Sequence, residues 1–311
     1  MSKYGIPYKG NKSKIAKEIL QALPAGERFV DLFGGGGAII DCALREFPNK
    51  WKKFVYNDIN PLLPELLSNA VSGKYAEQNF AFKWISRDEF NSEKAKNGYI
   101  AYLWSFGNNG KDYLFGRDVE NEKRRIFEYI VNGKHAEEFS TIPLLNETVF
   151  KRRAEYTNKA AKYGFDCRIQ VLENIESLSK LESLSKLESF SRFEGFSCKD
   201  YKDFKLGKSD VVYCDIPYFE RGKYTYYGGG FDHNSFLCWA EMQPVTIYYS
   251  NYTDGRVIWQ KTVRTTLNTG AGGRYRNETL FAIEKSQTAE QTQFDFENQI
   301  TIFDYLQGGN I

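Results

Sequence analysis

The chain has 311 residues, of which 41% are hydrophobic and 26% are charged, and its formal net charge at pH 7 is +2. This length allows one large domain or two smaller ones, and the composition is typical of a globular protein. No apolar run approaches the length that spans a bilayer, and the N-terminal residues lack the apolar core of a signal peptide. The five cysteines are scattered without a C-x-x-C pair, which favours neither a zinc site nor a disulfide framework. We therefore expect a cytoplasmic protein with no membrane association and no bound metal.

Charge and aromatic content leave the class of partner open. A net charge of +2 is too small to indicate a nucleic-acid-binding protein, although it does not exclude one. Phe, Trp and Tyr make up 16% of the residues, and rings at a surface can stack on bases or other planar ligands. Aromatic-rich packing in the core explains the same content equally well.

The first predicted unit of strand, turn and helix lies at residues 27–47, ERFVDLFGGGGAIIDCALREF. Apolar residues lead to Asp31, four glycines follow, and apolar positions then recur with helical spacing. The next strand, KKFVYNDINP, also ends on an acid, Asp58. Two parallel strands joined by a helix begin a doubly wound α/β sheet, which binds ligands at its carboxyl edge.

Residues 73–168 have a different pattern, with long helical stretches rich in Lys, Arg and aromatic side chains. We predict an inserted, mainly helical subdomain here, which leaves residues 1–72 and 169–311 to the α/β domain. The insertion contains two basic clusters, at 123–125 and 151–153. They could follow DNA phosphates, but charged runs are usually solvated faces, so both interpretations stay open.

A near-repeat of Ser-Leu-Ser-Lys-Leu-Glu occupies residues 171–196, with an apolar residue at every third position. In an α-helix a period of three winds the apolar stripe around the axis, whereas a 3₁₀ helix would align it. Long 3₁₀ helices are uncommon, and so few repeats could hardly stack as a solenoid. The sequence therefore predicts only that the leucines pack on a neighbouring element.

Strand patterns return after the repeat in GFSCKDYKDF, SDVVYCDIPY, PVTIYYSNY, VRTTLN and ETLFAIEK, and a polar, peripheral stretch follows them. The run SDVVYCDIPY is a buried strand that stops at Asp215 and is followed by Ile216, Pro217 and Tyr218. A third acid therefore lies at the end of a predicted core strand.

The glycine run does not have the spacing of a phosphate-binding loop. It lacks the G-K-[S/T] of a Walker loop, and the third glycine of the dinucleotide pattern is misplaced. What remains is D-x-F-x-G-x-G, formed by Asp31, Phe33, Gly35 and Gly37. An acid at this strand end suits a cationic or hydroxyl-bearing ligand, and Asp58 sits where a carboxylate can take both hydroxyls of a ribose.

The DIPY segment resembles the [D/N/S]-P-P-[Y/F/W] motif of amino-methyltransferases. In order along the chain, PYKGNKSKI, FVDLFGGGGA, YNDIN, CKDY, DIPY, FDHNSF, YYSNY and RNETLFA resemble the segments of the DNA adenine-N6 methyltransferases, a family that includes the DNA adenine methylases. The resemblance covers most of the chain, and the helical insertion falls where this family places its target recognition domain. It implies the S-adenosylmethionine-dependent methyltransferase fold and a phage or prophage type of enzyme.

The resemblance also assigns the sites residue by residue. Ile216 replaces the first Pro of the usual motif, but the family uses that residue's backbone carbonyl, so the contact survives. Arg124 and Arg125 fall in the target domain as DNA-binding candidates. The implied catalytic residues are Asp215, Ile216, Pro217 and Tyr218. The implied residues for S-adenosylmethionine are Tyr8, Lys12, Asp31, Phe33, Gly35, Gly37, Asp58, Asp200 and Tyr201.

The chemistry of such a site follows from the properties of adenine. Its exocyclic amine is a poor nucleophile because the lone pair is delocalised into the ring. If Asp215 and the Ile216 carbonyl accept its two N–H groups, charge moves onto nitrogen, and Tyr218 can stack on the base. Catalysis is then mainly positioning and electrostatics, and the base must leave the duplex.

We therefore expect a monomeric, site-specific methyltransferase that acts on adenine in double-stranded DNA. Cytosine-N4 methylation needs the same hydrogen bonds and remains an alternative, as does a DNA-binding relative without activity. A role in restriction-modification, phage self-protection or host regulation is left open by the sequence.

Three further side chains have competing interpretations. Cys214 could suggest a thiol nucleophile, but its alternation with Asp215 favours a side chain that points into the sheet. His233 could touch DNA, pack internally, or follow an N-cap at Asp232. We expect His135 at the surface.

Overall fold

The computed structural model of the protein describes residues 3–164, 168–218, 230–251, 256–265 and 274–284. Cys167, much of the aromatic glycine-rich loop before His233, and the polar stretch after the last strand lie outside these residues. The strands are β1 (Gly26–Asp31), β2 (Trp51–Asn57), β3 (Phe193–Ser197), β4 (Asp210–Cys214), β5 (Ile247–Asn251), β6 (Arg256–Thr265) and β7 (Arg274–Ile283).

These strands form one seven-stranded sheet in the order β3-β2-β1-β4-β5-β7-β6. Strands β1 to β5 run parallel, while β7 pairs antiparallel with β5 and with β6. The prediction of a doubly wound, mostly parallel α/β sheet is therefore confirmed. Its strand order reverses between β1 and β4, which is the position where open α/β sheets bind their ligands.

Nine α-helices accompany the sheet in the described residues. Helix α2 joins β1 to β2, as the glycine run and the helical pattern after it predicted. The helices are α1 (Ala16–Ala22), α2 (Ala38–Glu46), α3 (Leu62–Val71), α4 (Arg87–Glu93), α5 (Gly98–Leu103), α6 (Glu120–Asn132), α7 (Val149–Lys162), α8 (Gln170–Ser179) and α9 (His233–Glu241).

Two hydrophobic clusters lie on the two faces of the sheet, because successive strand residues point to opposite sides. In β1, Phe29 belongs to the larger cluster and Val30 to the smaller one. In β4, Tyr213 and Cys214 divide in the same way, and Cys214 is fully buried. The expectation that the Cys214 thiol points into the sheet is confirmed.

Residues 73–164, all of which the structure describes, form helices α4 to α7 and no named strand. Their buried rings belong to the larger hydrophobic cluster: Trp104 and Phe127 share it with Phe29 of the sheet and Leu172 of α8. The helical character of this region agrees with the sequence. Its boundaries as a separate domain, 73–168, stay a prediction.

The repeat segment changes from α-helix to 3₁₀ helix along its length. After α8, 3₁₀ helices cover Lys180–Lys186 and Glu188–Arg192. A helix with three residues per turn places every third side chain on one face, and Leu181 and Leu184 are buried on that face. Serine hydroxyls bond to carbonyls three residues earlier; Ser183 Oγ, for example, donates to Lys180 O at 2.6 Å. The prediction that the leucines pack on a neighbouring element is confirmed, because Leu181 and Leu184 belong to the larger hydrophobic cluster. The geometry, which the sequence left open, is 3₁₀ after α8.

Candidate active site

Three carboxylates meet at the carboxyl edge of the sheet. Asp31 ends β1, Asp58 follows the last residue of β2, and Asp215 follows the last residue of β4. Strand β1 pairs with both β2 and β4, and Asp31 lies opposite Tyr56 and Tyr213 in the two pairings. The three acids thus surround the point where the strand order reverses, as their positions at strand ends predicted.

The glycine turn between β1 and α2 needs residues without side chains. Gly35 and Gly37 have φ values of +49° and +74°, which lie in the left-handed region that favours glycine. Gly35 N–H donates to Asp58 Oδ2 at 2.8 Å, so the turn is attached to the end of β2. The backbone of this turn is therefore held beside two of the three acids.

Asp31 is buried in the protein interior. Its carboxylate is fully buried, and Oδ2 accepts a hydrogen bond from Ile40 N–H in the first turn of α2 at 3.2 Å. Oδ1 is also buried and has no hydrogen-bond partner in the structure. Burial, together with the nearby charges of Asp215 and Asp58, raises the pKa of Asp31 well above its ordinary value. Its assignment to the cofactor remains a prediction.

Asp58 is held by two backbone donors. Oδ1 accepts from Asn60 N–H and Oδ2 from Gly35 N–H, each at 2.8 Å. Burial raises the pKa of Asp58 to about 6, although these two hydrogen bonds oppose the shift. Each carboxylate oxygen can accept more than one hydrogen bond, so Asp58 can still bind hydroxyl groups.

Asp215 makes an ion pair with the N-terminal segment of the chain. Lys12 Nζ lies 2.8 Å from Asp215 Oδ1 and 4.6 Å from the centre of the Tyr218 ring. Lys12 is only 7% exposed, so this cation is buried against the predicted catalytic segment. Burial raises the pKa of Asp215, and the charge of Lys12 opposes that shift. Lys12, predicted for the cofactor, therefore also contacts the predicted catalytic acid, Asp215.

Glu278 on β7 contacts the predicted catalytic segment, and the sequence analysis did not single it out. Its Oε2 accepts a hydrogen bond from Tyr218 OH at 2.6 Å, and the side chain is buried. The sequence carried one signal for it, an acid within the apolar pattern of ETLFAIEK. That signal was ambiguous, because a single acid in a strand usually faces solvent.

The remaining cofactor candidates form two aromatic groups. Phe33 packs against Tyr201 at a ring distance of 5.4 Å, and both rings are buried in the smaller cluster. Tyr8 contacts Tyr102 edge to face at 5.4 Å on the other side of the glycine turn. Asp200 caps the 3₁₀ helix Tyr201–Asp203 by accepting a hydrogen bond from Lys202 N–H. The strand predicted in GFSCKDYKDF is therefore shorter than expected, because β3 ends at Ser197.

The turn after β4 is braced from α9. His233 Nε2 lies 2.7 Å from the Pro217 carbonyl oxygen, and a carbonyl can only accept, so this ring nitrogen donates. Asp232 caps α9 by accepting from Ser235 N–H, as one of the interpretations of this segment proposed. Ile216 is 2% exposed, so its side chain anchors the turn in the core.

The DNA-binding candidates of α6 lie at the surface with acidic neighbours. Arg124 Nε is 2.9 Å from Glu128 Oε1, and Arg125 Nε is 3.4 Å from Glu138 Oε2. His135 contacts Glu128 as well, with its side chain 30% exposed, so it is half-buried instead of fully at the surface. The contacts of both arginines are with acids of the helical region, and their DNA contact remains a prediction.

The fold is a doubly wound α/β sheet, and three acidic side chains lie at its switch point, where such sheets bind ligands. In sequence, residues 8–237 match the family model of D12 class N6 adenine-specific DNA methyltransferases. This match spans more than half of the chain, which therefore belongs to that family and is an adenine-specific DNA methyltransferase. The resemblance seen in the ordered segments is confirmed, and adenine is favoured over cytosine.

Comparisons with solved structures and with curated proteins add less information about this chain. Two structures of the rRNA methyltransferase aviRa from Streptomyces viridochromogenes are similar to this chain with 12% and 14% sequence identity and a TM-score of 0.31 each. Each alignment covers 86% of this chain and 84% of the other. The comparison with curated proteins finds no match. Within the part of the chain that the structure describes, no helix is both long and apolar enough to cross a membrane.

Proposed function

We propose that the protein binds S-adenosylmethionine at the carboxyl ends of β1 and β2 and methylates an adenine held at the end of β4. The observation that carries the proposal is the convergence of Asp31, Asp58 and Asp215 around the switch point of the sheet. S-adenosylmethionine supplies the methyl group from a positively charged sulfonium. An acid-rich site beside a glycine turn is chemically suited to such a cation.

The residues at the first two strand ends fit this cofactor. Asp58 is fixed by two backbone donors and can still accept from ribose hydroxyls. Asp31 is buried at the end of β1, and its Oδ2 accepts from Ile40 N–H, so it links the strand to the helix that follows the glycine turn. Phe33 and Tyr201 offer a packed aromatic wall for a planar base. We assign cofactor binding to this group, with Tyr8 on the opposite side of the turn.

At the third strand end, Asp215 and the Ile216 carbonyl would each accept one N–H of the target amine. Both acceptors are held before substrate arrives, Asp215 by Lys12 and the turn by His233 and the buried Ile216 side chain. A preorganised acceptor contributes to catalysis because it does not have to reorient during the reaction. Tyr218, whose hydroxyl is fixed by Glu278, would stack on the extruded base.

Sequence choice in duplex DNA is assigned to residues 73–168. The loop at 105–113 supports this, because it exposes Phe106 (53%) and connects to the site. Asn108 Nδ2 donates to Tyr102 O at 2.8 Å, and the Tyr102 ring contacts Tyr8. An exposed ring can replace stacking lost when a base leaves the duplex, and we assign this role to Phe106. We also propose that the protein acts in the cytoplasm as a monomer.

Methyl transfer from labelled cofactor into duplex DNA tests the catalytic assignment. Asp215→Ala should lower kcat at least about 10²–10³-fold, the range for removal of one preorganised group, while cofactor affinity persists. Asp210→Asn is a matched control on the same strand, because Asp210 pairs with Arg28 at the opposite end of β4. Digestion of the product to nucleosides should give N6-methyladenine. Near-normal transfer by Asp215→Ala would show that this segment is only a turn.

Calorimetry tests the cofactor assignment separately. Asp58→Ala should weaken S-adenosylmethionine binding by about 1–3 kcal/mol, the cost of leaving buried polar groups unpaired. Unchanged affinity in that variant would remove Asp58 from the cofactor site.

A further inference from the structure

The ammonium group of Lys12 contacts the segment that carries Asp215 and Tyr218. Lys12 Nζ donates to Gly10 O at 3.1 Å, lies 2.8 Å from Asp215 Oδ1, and sits over the Tyr218 ring. A buried ammonium is unfavourable unless it is paired and hydrogen-bonded, and here both conditions are met. The N-terminal segment thus supplies a fixed positive charge to the end of β4.

A fixed negative charge approaches the same segment from β7. Glu278 is 9% exposed, and its Oε2 is 2.6 Å from Tyr218 OH. Tyr218 is three residues beyond Asp215, so its ring lies between a cation from one end of the chain and a carboxylate from the other. Two charges of opposite sign therefore act on one short turn.

We propose that Lys12 and Glu278 are positioning residues with opposed effects on Asp215: Lys12 keeps its carboxylate ionised and oriented toward the target amine, and Glu278 opposes ionisation. The proposal rests on the proposed function, in which the Asp215 carboxylate accepts an N–H of adenine. A protonated Asp215 is a weaker acceptor, so the fraction of ionised Asp215 sets the rate at low pH. This proposal gives Lys12 a second role, in addition to cofactor binding.

The electrostatic surroundings of Asp215 support this division. Its pKa is raised first by burial, lowered by Lys12, and raised again by the charge of Glu278. The charge of Asp215 also contributes to the raised pKa values of its neighbours on β1, β2 and β4. The titratable groups that face Asp215 are Lys12, Asp31, Asp58, Tyr213, Cys214, Tyr218 and Glu278.

The test is the pH dependence of kcat at saturating duplex DNA and S-adenosylmethionine. Lys12→Met removes the cation but keeps an unbranched side chain, so the acid limb should move to higher pH by about 1–3 units. Glu278→Gln keeps an acceptor for Tyr218 OH but removes the charge, so the limb should move to lower pH. Lys12→Arg should stay close to the wild-type profile.

Lys14→Met is the matched control, because Lys14 is exposed and only two residues from Lys12. Its acid limb should coincide with that of the wild type. Thermal unfolding and cofactor affinity are measured for every variant, so that loss of folding or of cofactor is separated from a change in protonation. If Lys12→Met has no measurable turnover, the direction of the Glu278→Gln shift decides the test.

Acid limbs that stay in place, or that move in the same direction in Lys12→Met and Glu278→Gln, would overturn the inference. That result is distinct from failure of the proposed function, in which Asp215→Ala itself keeps near-normal transfer. Opposite shifts with unchanged cofactor affinity would support the inference, since a role limited to cofactor binding or packing does not produce them.

Discussion

The carboxyl edge of the sheet and the surface of the helical region carry similar charges in opposite physical settings. At the sheet edge, burial raises the pKa of Asp31 and of Asp58, the charge of Asp215 adds to both shifts, and Lys12 pairs with Asp215. On helix α6, Arg124 and Arg125 are 57% and 50% exposed, and each has its own acidic neighbour.

This difference shows that burial determines how strongly a charged side chain interacts with its neighbours. Exposed pairs contribute little to stability, because water screens them and two flexible side chains must be ordered. Buried charges interact strongly and cannot be satisfied by solvent, so they either stabilise a specific arrangement or perform chemistry. The helical region itself contains an exception that sharpens this comparison.

The largest expected effect is at that exception, Arg153 on α7. Its guanidinium is 2.8 Å from Glu176 Oε2 and 3.6 Å from Glu173 Oε1, and its side chain is only 10% exposed. Arg153→Ala leaves two acids of α8 without their buried partner and should lower the free energy of unfolding by about 3–5 kcal/mol. Urea denaturation measures this. A loss of less than about 1 kcal/mol would mean that the pair behaves like an exposed one.

The second effect is the pH dependence that Asp58 imposes on folding. Its pKa in the folded protein is about 6, above the ordinary 3.8, so the folded state retains the proton more strongly than the unfolded state. Stability should therefore fall as the pH rises through this window, by an amount on the order of 1–3 kcal/mol without cofactor. Asp58→Asn should reduce that slope.

The free energy of unfolding measured in urea between pH 4 and pH 8 shows the slope directly. Asp203→Asn serves as the control, because Asp203 is exposed on the 3₁₀ helix after β3. An identical slope in the wild type and Asp58→Asn would assign the dependence to other groups.

The smallest effect on stability is expected for Arg124 and Arg125. Replacing both with Ala should change the free energy of unfolding by no more than about 1 kcal/mol, because both ion pairs are exposed. If both contact phosphates, DNA affinity should fall and the slope of log K against log salt should lessen by about 0.9 for each lost contact. Unchanged DNA binding and salt slope would show a solvated face, as their acidic neighbours suggest.

The sheet and its acidic edge could be predicted because local patterns determine them. An apolar run that stops on Asp31, on Asp58 or on Asp215 marks both a strand and its end, and parallel strands bring such ends together. The glycine turn was predicted for the same reason, since its backbone conformation depends on adjacent residues.

Contacts between distant segments could not be predicted in this way. The pairing of Lys12 with Asp215, and of Tyr218 with Glu278, depends on how the N-terminal segment and β7 dock on the sheet. The sequence left the geometry after α8 open, because the 3₁₀ helix is intrinsically disfavoured and only tertiary packing of Leu181 and Leu184 stabilises it. The pair Arg124–Glu128 is different, because its i,i+4 spacing on α6 makes it a local contact that the sequence could have predicted.

The position of Glu278 has a consequence for biosynthesis. The site joins Lys12 to Glu278, two residues far apart in sequence, so the carboxylate of Glu278 leaves the ribosome long after the ammonium group of Lys12. Contacts of such high sequence separation form slowly, because a long loop must close before they contribute. A nascent chain that lacks β7 can therefore present a sheet edge and a glycine turn while its catalytic segment is still unfinished.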